Sequence, residues 1–379
     1  MSQTESDQSE ILSYLRLYRT TNIGPITFEK LRLKFGSAQT ALENLEDFTK
    51  TTRKPLKPYE QSRAEDEINA LEKHGGTFLI KTDPRYPELL RHCEDAPPIL
   101  AVLGNLDVLQ KPAVGIVGSR NASLNGCKFT KQLAHELGSH DFSIISGLAR
   151  GIDTAAHQAS LTTGTIAVVA GGIDVIYPKE NATLYHHILE TGCIIAESPF
   201  GVEPQARHFP KRNRIISGAS RGVIVVEAAL RSGSLITARQ ALEQGREVFA
   251  VPGSPFDPRT KGTNKLLQDG AHLVTSTQDI INILSQIRYR TPQKQISLFE
   301  EEATQNDFLP PSHHINEPSI PKNENILELV QSFLSHSPVH IDELIRACDK
   351  PASEILTTIL ELELTGSIER HPGNRVNLI

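Results

Sequence analysis

The segment Arg207-His208-Phe209-Pro210-Lys211-Arg212-Asn213-Arg214 gathers three kinds of chemistry within eight residues. Guanidinium forks match phosphate oxygens, an aromatic face stacks on a base, and the Asn213 amide both donates and accepts. Asp and Glu are absent from Pro204 to Val226, where Arg207, Lys211, Arg212, Arg214 and Arg221 fall. In a chain of formal net charge −6 this is a local cationic patch with the parts of a single-strand nucleic-acid groove. A solvated helix start is the plainer reading of the same residues.

A second set of residues recurs at the ends of apolar runs. Gly118-Ser119-Arg120 follows one run, and Ser146-Gly147-Leu148-Ala149-Arg150-Gly151-Ile152-Asp153 follows the next. Further runs lead into Gly171-Gly172-Ile173-Asp174, Glu197-Ser198-Pro199, Glu227-Ala228 with Ser232-Gly233-Ser234, and Pro252-Gly253-Ser254. Glycine admits a phosphate close to the backbone, and a following helix offers unpaired N–H donors at its positive end. Together the loops predict an anion-binding crevice lined by Arg120 and Arg150, although any one glycine alone could simply close a tight turn.

The elements that must position these loops follow from the runs themselves. Apolar stretches at 114–117, 142–145, 166–170, 193–196, 223–226 and 248–251 alternate with helical segments at 127–140, 154–161, 182–190 and 235–244. Continuous apolar strands imply burial on both faces, and strand–helix alternation implies a parallel sheet. The fold class is therefore α/β, with a Rossmann-like doubly wound sheet whose ligands bind beyond the strands' carboxyl ends. No G-x-G-x-x-G follows residue 117 and no G-x-x-x-x-G-K-[ST] occurs, which argues against a dinucleotide fingerprint and a P-loop. Asp153 and His157 at helical spacing, Asp174 and Glu227 lack a nucleophile–base pair or a full ligand set. Asp153 reads best as a helix-capping or first-turn residue, with His157 on the same face. No catalytic residue, metal or cofactor is assigned.

At 379 residues the chain is long enough for two or three domains. Its hydrophobic content of 38% and charged content of 22% are those of a soluble protein. Cys93, Cys127, Cys193 and Cys348 form no C-x-x-C pair, which favours a reducing cytoplasm over a disulfide framework. No apolar run approaches the roughly 20 residues that span a bilayer, so a soluble, unexported protein without a membrane span is expected.

Boundaries are expected at 1–75 for a helical module, 76–287 for the sheet domain, 288–322 for a flexible linker and 323–379 for a compact tail. In the first, Asn22-Ile23-Gly24-Pro25 and Phe35-Gly36-Ser37 resemble half of a helix-hairpin-helix or SAM-like module. Pro, Gln, Glu and Ser dominate the linker, yet it carries Gln295-Ile296-Ser297-Leu298-Phe299. That pentapeptide, with Gln295, Leu298 and Phe299 as anchors, resembles the motif by which bacterial replication proteins dock on the sliding clamp. The tail shows three amphipathic helices and a hairpin about His371-Pro372-Gly373-Asn374, similar to a winged helix-turn-helix. Its third helix carries Glu354, Glu361 and Glu363 without Lys or Arg. Duplex binding needs cations, so protein interaction is at least as good a reading as DNA contact.

Taken in order, the blocks at 118–120, 146–153, 171–178, 209–214, 232–238 and 245–253 resemble the DprA/Smf family of DNA-processing proteins over about 200 residues. The resemblance implies a single-stranded DNA-binding recombination mediator that protects incoming DNA during natural transformation and loads RecA, generally as a homodimer through the Rossmann-like domain. By motif position it implies DNA contacts at Arg120, Lys211, Arg212, Asn213 and Arg214, and phosphate binding at the Ser146-Gly147 and Gly233-Ser234 turns. Phe209 supplies the stacking face, and Gly118, Ser119, Arg150 and Gly151 complete the crevice. An alternative from another class is a nucleotide-binding Rossmann-like enzyme of phosphoribohydrolase type, with Glu227 as its acid. The P-G-G-x-G-T-x-x-E signature of that group is absent.

Overall fold

The computed structural model describes residues 3–49, 56–287, 326–371 and 374–379. Four helices come first: α1 (Gln3–Arg19), α2 (Pro25–Phe35), α3 (Ala38–Thr49) and α4 (Gln61–Lys73). The sheet region then runs β1 (Thr77–Ile80), α5 (Glu88–Arg91), β2 (Ile99–Gly104), β3 (Ala113–Val117), α6 (Leu124–Ser139), β4 (Ser143–Ser146), α7 (Ile152–Ser160) and β5 (Thr165–Val169). It continues through α8 (Ala182–Thr191), β6 (Cys193–Ala196), α9 (His208–Ala219), β7 (Ser220–Val225), α10 (Gly233–Glu243), β8 (Glu247–Ala250), α11 (Lys261–Gln268), β9 (His272–Leu273) and α12 (Thr277–Gln286). The tail comprises α13 (Ile326–Phe333), β10 (Val339–His340), α14 (Ile341–Cys348), α15 (Ala352–Leu364), β11 (Ile368–His371) and β12 (Arg375–Leu378).

Strand order is β1-β2-β6-β5-β4-β3-β7-β8-β9, parallel from β6 to β9. The pairings β1–β2 and β2–β6, at one edge, are antiparallel, so β2 runs against the rest of the sheet. Alternate residues of the central strands bury on opposite faces. Val114, Ile116, Ile144 and Ile224 join one core, while Val117, Ile145, Val223 and Val225 join another. That two-sided burial is why these strands read as continuous apolar runs. The edge strands β1 and β2 and the two-residue β9 fall outside the six expected runs; β9 is too short to carry a periodic signal.

Strand order reverses at β3, which lies between β4 and β7. The crevice of a doubly wound sheet opens at such a point. The N-terminal helices share a core with Phe78, Ile99, Ala101 and Ile194 of the sheet. Polar clamps reinforce this contact: the Tyr18 hydroxyl donates to the Glu197 carboxylate, and Arg19 Nη1 donates to the Glu197 carbonyl at 3.1 Å. On α12, Ile280 and Leu284 pack back onto the sheet, with Ile281, Ile283 and Ile287 half-buried beside them.

Candidate nucleic-acid interface

Helix α9 carries the basic segment, and its register decides what each cation does. Arg212, Ile215, Ile216 and Ala219 recur at i, i+3, i+4 and i+7, so Arg212 shares the face that packs on the sheet and is buried with the other three. Lys211 and Arg207 stand on the solvent side. Pro210 lies in the first turn, where its missing N–H leaves no intrahelical bond unmade.

The loops after β3, β4 and β5 close around the start of this helix. Arg120, Arg150, Tyr177, Lys179, Phe209 and Arg212 line a cavity of about 330 Å³. Arg120 is exposed, and its guanidinium lies 5.1 Å from the Phe209 ring centroid. The Tyr177 ring centroid lies 5.8 Å from that of Phe209, with the two planes tilted by 51°. One acid, Glu180, stands among these cations at the lining. Cation, aromatic face and a second ring side by side suit a base flanked by phosphates.

Beneath this layer the loop Ser146–Gly151 is already filled from within. Asp153 accepts from the Gly147 N–H at 3.0 Å and the Ala149 N–H at 3.4 Å, and His157 Nε2 accepts from the Leu148 N–H at 3.3 Å. The Ser146 hydroxyl donates to the Ile116 carbonyl at 2.6 Å. A buried carboxylate thus takes N–H donors that a phosphate expected at Ser146 and Gly147 would compete for. Arg212 stands over Gly147, where a Cβ would collide with its guanidinium, and its Nη1 donates to the Val168 carbonyl. Burial lowers the Arg212 pKa to about 10 despite the facing Asp153. Burial also raises the Asp153 carboxyl, against the pull of Arg212, and lowers His157 to about 3.

Gly118 and Gly151 are needed for close approach. At Gly118 a Cβ would lie 2.6 Å from Ile152 Cγ1. Gly151 has φ +73°, and a Cβ there would fall 2.7 Å from the Arg120 carbonyl oxygen and against that of Ser119. Ser119 accepts the Ile152 N–H at 3.2 Å, which ties the Arg120 loop to the start of α7. On the far side of α9, Asn213 Nδ2 donates to the Gly233 carbonyl at 3.4 Å, and Ser232 Oγ caps the Ser234 N–H at 3.3 Å. Gly233 and Ser234 thus stand beside α9, outside the cavity lining.

Three comparisons with known proteins agree on what this chain resembles. A family model described as DNA recombination-mediator protein A matches residues 77–285. A DprA winged helix domain matches residues 316–374, and a DprA-like N-terminal HHH domain matches residues 8–70. The chain belongs to the DprA/Smf family. It is 49% identical to the DNA processing protein DprA of Streptococcus pneumoniae over 52% of this chain and 71% of that one. With Protein Smf of Escherichia coli it shares 40% identity over 79% of this chain and 77% of that one. The solved structure of the S. pneumoniae protein superposes with a TM-score of 0.60 at 38% identity, covering 69% of this chain and 98% of that one. A Helicobacter pylori DNA processing protein A, solved for its single-stranded DNA binding mode, superposes with a TM-score of 0.51 at 30% identity, covering 56% of this chain and 96% of that one. The role that goes with this family is that of a DNA-processing recombination mediator.

Within the family's motif, the structure parts Arg214 from the crevice. Its guanidinium is buried and paired with Glu197, which also accepts from Tyr18, and it donates to the Asp95 carbonyl. Burial opposes its charge, but Glu197, Tyr18, Asp95 and Tyr86 together outweigh that and raise its pKa. Through Glu197, which Tyr18 also meets, Arg214 ties α9 to the N-terminal helices. Glu227 is likewise enclosed. Its carboxylate accepts from the Ser123 hydroxyl at 2.6 Å and the Ser123 N–H at 2.9 Å, and burial raises its pKa. That places the enzyme reading's acid behind the start of α6.

A larger cavity of about 1330 Å³ opens between α5, the end of α9 and α10. There Arg246 Nη2 donates to the Leu89 carbonyl of α5 and the Gly218 carbonyl of α9, at 2.7 and 3.0 Å. The cavity's cations Arg91, Lys111, Arg214, Arg221 and Arg246 are interspersed with Glu88, Glu94, Asp95 and Glu243, and its Tyr86 ring is buried, so the smaller crevice with its accessible aromatic pair is the candidate interface. Tyr177 and Lys179 were not picked out from sequence, although the rule that ligands gather at strand carboxyl ends reaches the loop they occupy. Gln295, Leu298 and Phe299 lie outside the described residues. Among the described residues no group of three His, Cys, Asp or Glu side chains is placed to hold a metal, and no helix is long and apolar enough to cross a membrane.

Proposed function

We propose that the chain is a single-stranded DNA-binding recombination mediator that protects incoming strands during natural transformation and loads RecA onto them as a cytoplasmic homodimer. The observation that carries the DNA part is the stacking of Arg120 against Phe209 at a cavity that also holds Arg150 and Lys179. Phosphates are gripped by Arg120, Arg150, Lys179 and Lys211, while Phe209 and Tyr177 support a base. Stacking of this kind contributes about 1–3 kcal/mol per base and tolerates any sequence. The single-stranded DNA binding mode for which the H. pylori relative was solved supports the same reading. RecA loading and dimerisation rest on family membership. Residues 1–75, 76–287, 288–322 and 323–379 are proposed as helical module, DNA-binding domain, linker and winged helix.

Fluorescence anisotropy of a labelled unstructured strand and its duplex, with wild type and Arg120→Ala, tests the DNA reading. Single-strand preference that weakens with the substitution is expected; equal affinity for both forms refutes it. RecA loading is tested by filament growth on a strand pre-coated with single-strand binding protein, and the dimer by sedimentation. Clamp docking through Gln295, Leu298 and Phe299 remains a proposal, and a linker peptide that fails to bind the clamp removes it. Release of free base from nucleoside monophosphates is the result that would revive the enzyme reading.

A further inference from the structure

Helix α15 occupies the place of a recognition helix in the tail, yet its outer face is apolar. Leu356, Leu360 and Leu364 are 45%, 52% and 79% exposed and recur every four residues, while Ile355, Ile359 and Leu362 fill the tail's core on the inner face. Three large leucines on one stripe differ from the single exposed apolar residues of an ordinary surface. The helix has no Lys or Arg. Glu354 and Glu361 are exposed beside the stripe, and Glu363 is paired with Arg370 at 3.2 Å.

The tail meets the sheet domain through its other side. Arg259 donates to the carbonyls of Ser332 and Leu334 at the end of α13, Asn125 to that of Ser337 at 3.4 Å, and Lys128 pairs with Glu343 of α14 at 3.4 Å. Leu124, at the first position of α6, packs against the tail's core. These contacts leave the α15 stripe facing solvent.

We propose that the α15 stripe docks a basic amphipathic helix of a partner protein, with Leu356, Leu360 and Leu364 as the apolar seam and Glu354 and Glu361 as the charge-selecting rim. Phosphates would meet Glu354 and Glu361 here, and the cation beside the helix, Arg370, is already paired with Glu363, which disfavours duplex reading by this helix. A second copy would set Glu354 and Glu361 against their own equivalents, which disfavours self-association. A helix laid in by i, i+4 anchors with Lys or Arg on its flanks satisfies both the seam and the rim.

The test uses the full chain and two labelled 18-residue amphipathic peptides with the same leucine seam, one flanked by Lys and one by Glu. Wild type is expected to bind the Lys peptide at least ten-fold more tightly than the Glu peptide. Leu360→Glu is expected to lower binding of the Lys peptide at least ten-fold even though it adds negative charge, a result that bulk electrostatics cannot produce. Glu361→Lys is expected to narrow or invert the preference. Both positions are exposed, so melting temperature and single-strand affinity should match wild type. Equal binding of the two peptides, or binding indifferent to Leu360→Glu, overturns the proposal. So does duplex binding that depends on Leu360, or a dimer in sedimentation that Leu360→Glu dissolves, which would assign the face to nucleic acid or to a second copy.

Discussion

Replacing Arg120 and Phe209 separately should split the two halves of the interface. Four cations reach solvent around the crevice: Arg120, Arg150, Lys179 and Lys211. If each neutralises one phosphate, log affinity falls with log salt at a slope of about −2.8, taking about −0.7 per phosphate for single strands. Arg120→Ala should bring the slope to about −2.1. Between 50 and 200 mM salt, wild type would then lose about fifty-fold in affinity and the variant about eighteen-fold. Phe209→Ala removes a stacking face and no charge, so it should cost about 1–3 kcal/mol at every salt concentration and leave the slope unchanged. Anisotropy titrations at four salt concentrations measure both quantities. An unchanged slope in Arg120→Ala, or an altered slope in Phe209→Ala, would refute the division of labour drawn from their stacked geometry.

The buried layer predicts effects on stability. Arg212→Ala leaves Asp153 facing no cation and should cost about 3 kcal/mol in chemical denaturation, whereas Lys211→Ala should stay within about 0.5 kcal/mol. Gly151→Ala forces a side chain into φ +73° and against the Ser119 and Arg120 carbonyls, so a loss of at least about 2 kcal/mol is expected, with weakened strand binding through the displaced Arg120 loop. His157 titrates at about 3 in the folded chain against 6.5 unfolded. Its neutral form is the folded one, so its contribution is full above pH 6.5 and falls by about 1.4 kcal/mol per unit as pH drops toward 3. Asp153 is shifted the other way, so comparing denaturation of wild type and His157→Gln between pH 7 and 5 isolates the histidine: the variant's curve should be flatter by about 2 kcal/mol over that range.

Much of this was legible in the sequence, for reasons that also mark where legibility ends. The central strands announced themselves because both faces are buried, and the loops at their ends because glycine is required at Gly118 and Gly151. The cationic segment was legible as a cluster, but a cluster alone does not show which members helical spacing buries. Arg212 lies three and four residues before the buried Ile215 and Ile216, a spacing that already turns it inward. No such local signal existed for Arg214, whose partners Glu197 and Asp95 are 17 and 119 residues away. Nor could spacing reveal that Asp153 and His157 consume the N–H donors of residues 147–149. That last feature bears on what the crevice selects. A loop whose donors are open is built to cage one terminal phosphate, as mononucleotide sites do. Here those donors are spent inside the protein, and the remaining cations are side chains spread around an aromatic pair. Such a surface gains little from a single phosphate group and gains with each further one along a strand, which favours a polymeric ligand over a free nucleotide.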